Sequence, residues 1–329
     1  KLVEAPNGDL LWLSKENNSN GCINTVDLTY PSAPLFLCFN PDLEKVQMNG
    51  IFYYSESGKW TKPFAAHDLG TYPQANGQTY GGDMPVEESG NMLILSAAIA
   101  AVEGHARYAA KHWDVLTTWA DYLIEKGLDP DNQLCTDDFA GHFAHNANLS
   151  IKAILGVASY GYLAQRLGYE EVANRYMTKA RGMAAEWERM ANDGDHYRLT
   201  FDQPGTWSQK YNLVWDQILG LNIFNPAIAA TEIPYYLKKQ HIYGLPLDGR
   251  ATYTKTDWVM WTACLAPNKE TFSQFIAPLH RFMNETTDRV PMSDWIFTDK
   301  PNYRGFKARS VVGGYYLRLL QHQLAHQNP

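Results

Sequence analysis

The sequence of 329 residues predicts an all-α fold, an (α/α)6 toroid in which six helical hairpins close into a ring. Three observations predict it. Long loops rich in Gly, Trp, Tyr and Asp alternate with tight turns; the segments between them are patterned for helix; and the helices that follow long loops begin roughly 50–60 residues apart, the length of one hairpin with its two connections. The long loops run over 14–31, 58–85, 128–146, 192–208, 241–258 and 287–310, and the tight turns are FNPD (39–42), EGHA (103–106), LGYE (167–170), FNPA (224–227) and APNK (266–269). A hairpin returns the chain to its starting side, so every second connection lies at the same end of the bundle and all six long loops are expected to share one rim.

Along the chain, DLLWLSKEN (9–17) is expected to pack beside the C-terminal helix and close the ring. An inner helix begins near Pro31. The next, NMLILSAAIAA (91–101), has no polar face and is rich in Ala and Ser, as suits a helix packed on all sides. Over 105–126, Tyr108, His112, Val115, Trp119, Tyr122 and Leu123 recur at helical spacing while Lys111, Asp114, Asp121 and Glu125 fall elsewhere, which marks an outer helix with one wet face. In 169–191 the residues Val172, Tyr176, Ala180, Met183, Trp187 and Met190 repeat that pattern. The remaining inner helices are expected to start near Asn146, Ser208, Lys255 and Ala308.

No linker, charge run or low-complexity stretch interrupts residues 1–329, so they are read as a single domain. With 45% hydrophobic and 13% aromatic residues the chain can bury a substantial core. A formal charge of −7 with no Lys/Arg cluster argues against a nucleic-acid partner. The longest apolar run, MLILSAAIAAV (92–102), falls short of the roughly 20 residues that cross a bilayer, so no membrane span is expected. Cys22, Cys38, Cys135 and Cys264 are too scattered for a disulfide framework or zinc ribbon and read as isolated structural thiols.

The strings NTVDLTYPSAPLFL, GKWTKPFAAHDLGTYP, PVEESGNMLIL, CTDDFAGHFAHNANLSIKAILG, TWSQKYNLVWDQILGLN, YGLPLDGRATYTKTDWVMWTA and GFKARSVVGGYY resemble the C-terminal helical domain of the fungal-type glutaminase A family, over nearly the whole chain. The resemblance implies a six-hairpin toroid of the six-hairpin glycosidase-like kind. It also implies hydrolysis of the side-chain amide of L-glutamine by a secreted or periplasmic, cell-envelope protein. Family members usually carry an upstream β-rich domain that is absent from this chain, and that domain is the expected partner within the same polypeptide. The ligand is a small molecule, glutamine or a saccharide. Two other readings stay open: a glycoside hydrolase with paired carboxylates in an aromatic-lined bowl, and a non-catalytic ligand-binding module.

Amide hydrolysis needs a nucleophile, a base, an acid for the departing ammonia and donors for the oxyanion; glutamine also needs a cation for its α-carboxylate and an acid for its α-amine. Inner-helix N-termini aim their positive dipole ends at the rim and favour carboxylates there. Glu87 and Glu88 stand in the first turn of an inner helix, and Asp137 and Asp138 lie just ahead of another. Paired acids in a low-dielectric pocket separate into a proton donor and a proton acceptor, and Glu88 with Asp138 are the preferred pair. Dipole compensation is the alternative for the glutamates, and an N-cap or Asx turn for Asp137.

TWSQKYN brings Trp207, Ser208, Lys210 and Asn212 to a helix start, with Trp207 and Asn212 as candidate substrate contacts. Residues two apart on a helix do not face one another, so Ser208 is read as an N-cap, and Lys210 as a partner for a rim or substrate carboxylate. Arg250 and Arg309 are the best cations for an α-carboxylate, or else ion-pair with Asp248 and Asp294. Asp257–Trp258 and Asp294–Trp295 repeat one acid–aromatic pair on adjacent loops, suiting either a pocket wall or repeat packing, with Asp257 and Trp258 as substrate contacts. In HDLGTYP, Gly70 and Pro73 fix the backbone around Asp68 and Tyr72, two further candidate contacts. His67 beside Asp68, and the pair His142 and His145, invite a metal reading. An H-x-x-H outside a helix and lacking the glutamate of a zincin motif does not carry it, so neither metal nor cofactor is expected.

Overall fold

The computed structural model describes residues 2–135 and 141–327. A hairpin of β1 (Leu2–Glu4) and β2 (Leu10–Trp12) precedes α1 (Val26–Phe39) and α2 (Pro41–Glu56). There follow α3 (Pro85–Glu103), α4 (Arg107–Lys111), α5 (Trp113–Lys126), α6 (Ala147–Arg166) and α7 (Glu170–Ala191). A 3-10 turn over Tyr211–Leu213 then leads into α8 (Val214–Ile218), and α9 spans Ala227–Lys239. After β3 (Tyr253–Lys255) come α10 (Thr256–Ala263), α11 (Lys269–Glu285), β4 (Trp295–Phe297) and β5 (Tyr303–Gly305). A second 3-10 turn, Ser310–Tyr316, runs into α12 (Leu317–Gln327).

Inner and outer helices separate by burial. In α3 every residue from Val86 to Ala101 is buried, whereas α7 buries one stripe, Ala173, Tyr176, Ala180, Met183, Ala184, Trp187 and Ala191. The inner ring is α1, α3, α6, the Tyr211–Ile218 segment, α10 and the Ser310–Gln327 segment, which packs back on α1. Its middle is filled by Tyr30, Tyr211, Trp215, Trp258 and Trp261, with Tyr211 and Trp258 stacked at 4.1 Å.

Three expectations are corrected. Residues 9–17 are not helical and do not lie on the C-terminal helix: β2 packs on α2, where Asn49 Nδ2 donates to Leu10 O at 2.9 Å. The Ser310–Tyr316 turn closes the ring instead, and Gly313 and Gly314 make this possible, because a Cβ on either would meet Ser32 O at 2.6 Å or Pro31 O at 2.8 Å. The first inner helix starts at Val26, with Pro31 and Pro34 inside it. The 105–126 helix is broken at His112, whose ring stacks on Phe52 at 3.9 Å and whose Nδ1 faces Glu56 Oε1 at 2.6 Å.

The long loops share one rim, shown by a closed chain of contacts. Ile23 N donates to Gly70 O (2.8 Å), Val86 N to Gln133 Oε1 (3.1 Å), Phe201 N to His145 O (2.9 Å), and Gly249 N to Trp207 O (3.1 Å). Thr256 N donates to Asp294 O (2.8 Å), and Asn17 Nδ2 to Ala308 O (3.1 Å), returning to the first loop. Loops 241–258 and 287–310 also supply the antiparallel sheet β3–β4–β5, in register Lys255↔Trp295 and Tyr253↔Phe297. The sequence reading has these stretches as loops; packed loop backbone needs partners, and a short sheet provides them.

Candidate active site

Four of the six loops converge on one cavity of about 220 Å³. Its walls are Glu16, Asp27, His67, Tyr80, Lys255, Trp258, Phe306 and Arg309. Val26 N donates to His67 O at 2.9 Å, and this bond draws the 58–85 loop onto the start of α1, so that Asp27 and His67 come together. The helix that begins at Pro85 sets Glu88 behind them.

On this wall His67 Nε2 lies 3.6 Å from Asp27 Oδ1 and 3.9 Å from Glu88 Oε1, while its ring stacks on Tyr80 at 4.1 Å. Burial disfavours the imidazolium, but the hydrogen bond to Asp68 and the charges of Asp27, Asp68 and Glu16 outweigh it and raise the His67 pKa. Burial, then the neighbouring charges of Asp27 and Glu87, push the Glu88 carboxyl well above its usual range. Its Oε2 accepts from Asn91 Nδ2 at 3.0 Å, and its Oε1 has no hydrogen-bond partner among the described residues.

The opposite wall is a belt of alternating charge. Arg309 bridges Glu16 Oε1 (3.2 Å) and Asp294 Oδ2 (3.1 Å), and Lys255 Nζ lies 2.8 Å from Asp294 Oδ2 and 3.4 Å from Asp257 Oδ1. Burial pushes Asp294 up, but Lys255 and Arg309 overcome it and hold that carboxyl below its usual range. For Asp257 burial wins over Lys255 and, with the charge of Asp294 adding to it, its pKa rises to about 6. The strand β3 sets this arrangement by pairing Lys255 opposite Trp295, one residue from Asp294.

The other sequence candidates are distributed as follows. Glu87 points away from the cavity and forms a fully buried ion pair with Lys152, whose ammonium lies 4.3 Å from the Tyr30 ring centroid. Asp68 stands behind His67, its oxygens accepting from Gly70 N (2.8 Å), Thr79 N (3.0 Å) and Tyr80 N (3.1 Å). Burial raises its pKa, but the His67 and backbone bonds more than offset that and leave it lowered. Tyr72 is 48% exposed on the outer rim beside Lys15. Trp207 packs on Tyr235 and Tyr236, and Asn212 ties Tyr30 OH (2.9 Å) to Asn148 O (3.1 Å) in the core. Arg250 pairs with Asp248 (Nε to Oδ1 2.8 Å) and covers Phe143. Asp137 and Asp138 lie outside the described residues.

Lys210 and Ser208 require a correction. They do face one another, with Lys210 Nζ 3.1 Å from Ser208 Oγ, because the helical turn begins only at Tyr211 and the segment before it is not helical. Both are buried away from the cavity, and Lys210 Nζ also donates to Ser208 O (2.9 Å) and Tyr197 O (3.1 Å) with Glu232 Oε2 at 3.7 Å. Of the residues named as walls of the cavity, sequence reasoning missed Glu16, Asp27, Tyr80, Lys255 and Phe306. Asp27 carried a usable signal: it stands in the first turn of an inner helix, as Glu87, Glu88 and Asp257 do. His67 read as an ordinary loop histidine, and only its neighbours from α1 and α3 distinguish it.

Residues 1–319 match the family described as Glutaminase A six helical-hairpin domain. Glutaminase A of Aspergillus oryzae is 36% identical over 330 residues, which is 97% of this chain and 48% of that protein. A probable glutaminase of Arthroderma benhamiae is 27% identical over 403 residues, 93% of this chain and 46% of that one. The chain thus spans about half the length of the curated relatives it matches. A Streptococcus pneumoniae structure from a family of metal-independent alpha mannosidases, in a non-productive complex with alpha-1,6-mannobiose, superposes with a TM-score of 0.65 at 11% identity, covering 98% of this chain and 90% of that one. At that identity the likeness shows the fold alone, a six-hairpin glycosidase-like toroid. Sequence match and toroid agree: the chain belongs to the glutaminase A six helical-hairpin domain family.

Proposed function

We propose that this chain is the catalytic part of a hydrolase that releases ammonia from the side-chain amide of L-glutamine. The observation that carries the reading is one small cavity with Lys255 and Arg309 on one wall and Asp27 and His67 on the other, with Glu88, its carboxyl raised above the usual range, buried behind His67. At about 220 Å³ it is smaller than the usual range for drug-sized ligands, roughly 300–1,000 Å³, and suits a free amino acid.

In this reading Arg309 and Lys255 receive the α-carboxylate and Glu16 the α-ammonium. The side-chain amide then reaches the His67 wall. A water attacks the amide carbon and gives its proton to the Asp27 carboxylate, while His67 Nε2 faces the oxyanion. Collapse of the tetrahedral intermediate breaks the C–N bond, and the nitrogen leaves as ammonia with a proton from Glu88. The proton held by Asp27 then restores Glu88, and the new carboxylic acid gives its proton to the ammonia, leaving glutamate and ammonium.

The polypeptide carrying this domain, supplied with L-glutamine and separately with a panel of glycosides, is expected to release ammonia and no sugar. Sugar release without ammonia favours the glycoside-hydrolase alternative. Saturable glutamine binding without turnover, unchanged by Glu88→Gln, favours a binding module.

A further inference from the structure

The His67 side chain is held in the way that metal-binding histidines are held. Its Nδ1 is tied to Asp68 Oδ2 at 3.0 Å, and Asp68 is itself fixed by the backbone N–H groups of Gly70, Thr79 and Tyr80. A carboxylate behind a histidine sets the ring orientation and raises the basicity of the other nitrogen. That nitrogen, Nε2, faces Asp27 Oδ1 and Glu88 Oε1 at 3.6 and 3.9 Å, and the three atoms all lie within 4.8 Å of one another. Ligands about 2.1 Å from a tetrahedral ion stand about 3.4 Å apart, so a small contraction brings these into coordinating positions.

A second observation is independent of that spacing. Glu88 is completely buried, and neither its Oε1 nor Asp27 Oδ1 has a hydrogen-bond partner among the described residues. A buried oxygen with nothing to accept from is costly, and here two of them aim at one point beside an imidazole nitrogen. A cation satisfies all three at once. The cavity wall at Asp27 and His67 leaves the remaining coordination positions open on that side.

We propose that Asp27, His67 and Glu88 bind one divalent first-row transition cation, of the Zn2+ or Mn2+ type, on the cavity wall. One imidazole nitrogen with two carboxylate oxygens and no thiolate suits these borderline ions. Asp68 acts through His67 as a positioning residue. The ion takes the oxygens and the imidazole nitrogen that the amide-hydrolysis reading uses, so filling the site is expected to suppress that activity, and ion binding and ammonia release are read as separate measurements.

Titration of chelator-stripped full chain with ZnCl2 and with MnCl2 by calorimetry tests the assignment. One equivalent of at least one ion is expected to bind, with affinity weakened about tenfold or more by Asp27→Asn and by Glu88→Gln. His145→Ala, which removes the exposed His145–Asp129 pair, leaves the affinity unchanged. Asp27 is partly exposed and the Glu88 substitution isosteric, so circular dichroism of both variants is expected to match the parent; should Glu88→Gln not fold, Asp27→Asn decides alone. An anomalous peak between the three ligand atoms in a soaked crystal supports the site. No saturable binding of either ion, or binding indifferent to Asp27→Asn, overturns it. Ammonia release by the chelator-stripped chain that falls as the ion saturates its site sustains both proposals; saturable binding without ammonia release from the stripped chain sinks only the amidase reading.

Discussion

Along the Lys255 wall of the cavity each acid stands beside a cation: Arg309 between Glu16 and Asp294, Lys255 between Asp294 and Asp257. Along the His67 wall Asp27 and Glu88 crowd one imidazole, with no lysine or arginine paired to either among the described residues. The same contrast recurs within two residues of α3. Glu87 and Glu88 are equally buried, yet one is neutralised by Lys152 and the other, among the described residues, accepts from Asn91 and faces the edge of His67. Acids with matched cations hold architecture. Burial raises the proton affinity of Glu88, and of Asp257 even beside Lys255, but Glu88 has no lysine or arginine paired to it among the described residues.

That contrast can be broken by exchange. Glu88→Gln is expected to lower ammonia release about 10²- to 10⁴-fold with little loss of stability, since it removes the proposed proton donor and leaves the Glu87–Lys152 pair in place. Activity that survives this change would move the chemistry off the His67 wall. Glu87→Gln should do the reverse: Lys152 is left buried without its counter-ion, at a cost of about 3–5 kcal/mol, read by urea unfolding. If Glu87→Gln is neutral, the pair is not the structural clamp described.

On the opposite wall Arg309→Lys loses the planar fork that spans Glu16 and Asp294, and the KM for glutamine is expected to rise about tenfold with kcat less affected. An unchanged KM would remove Arg309 from substrate binding. A smaller effect is the pH dependence set by Asp257. Its folded pKa of about 6 exceeds the value of a free aspartate, so the folded state binds more protons than the unfolded chain between about pH 4 and 6. Its contribution therefore lowers stability as pH rises through that window. Asp257→Asn should flatten this slope in melting temperature, and an unaltered slope would place the titration elsewhere. Smallest of all, His145→Ala on the exposed rim should change stability by less than about 0.5 kcal/mol, because its pair with Asp129 stands in solvent.

Local pattern explains which features were legible in advance. The burial of α3 on all sides and the single stripe of α7 follow from periodicity, which a helix cannot evade once its apolar residues must leave water. Tight turns against long loops gave the shared rim, since hairpin connectivity leaves the ends of a bundle no other arrangement. Misreadings arose where tertiary contacts override local rules. Residues 10–12 became a strand because α2 offered β2 a surface, and Ser208 met Lys210 because the helix there starts three residues later than expected.

By itself the sequence determined the helical toroid, its common mouth, the family resemblance and the placing of acids such as Glu88 and Asp257 at inner-helix starts, because each depends on neighbours within a few residues or on chain order. Only the tertiary structure decided which acids are matched by cations. Asp27 and His67 are 40 positions apart in the chain, Lys152 lies 65 from Glu87, and Arg309 lies 293 from Glu16. Charge pairing acts over a few ångströms and depends on burial, and neither quantity exists until the hairpins have closed the ring.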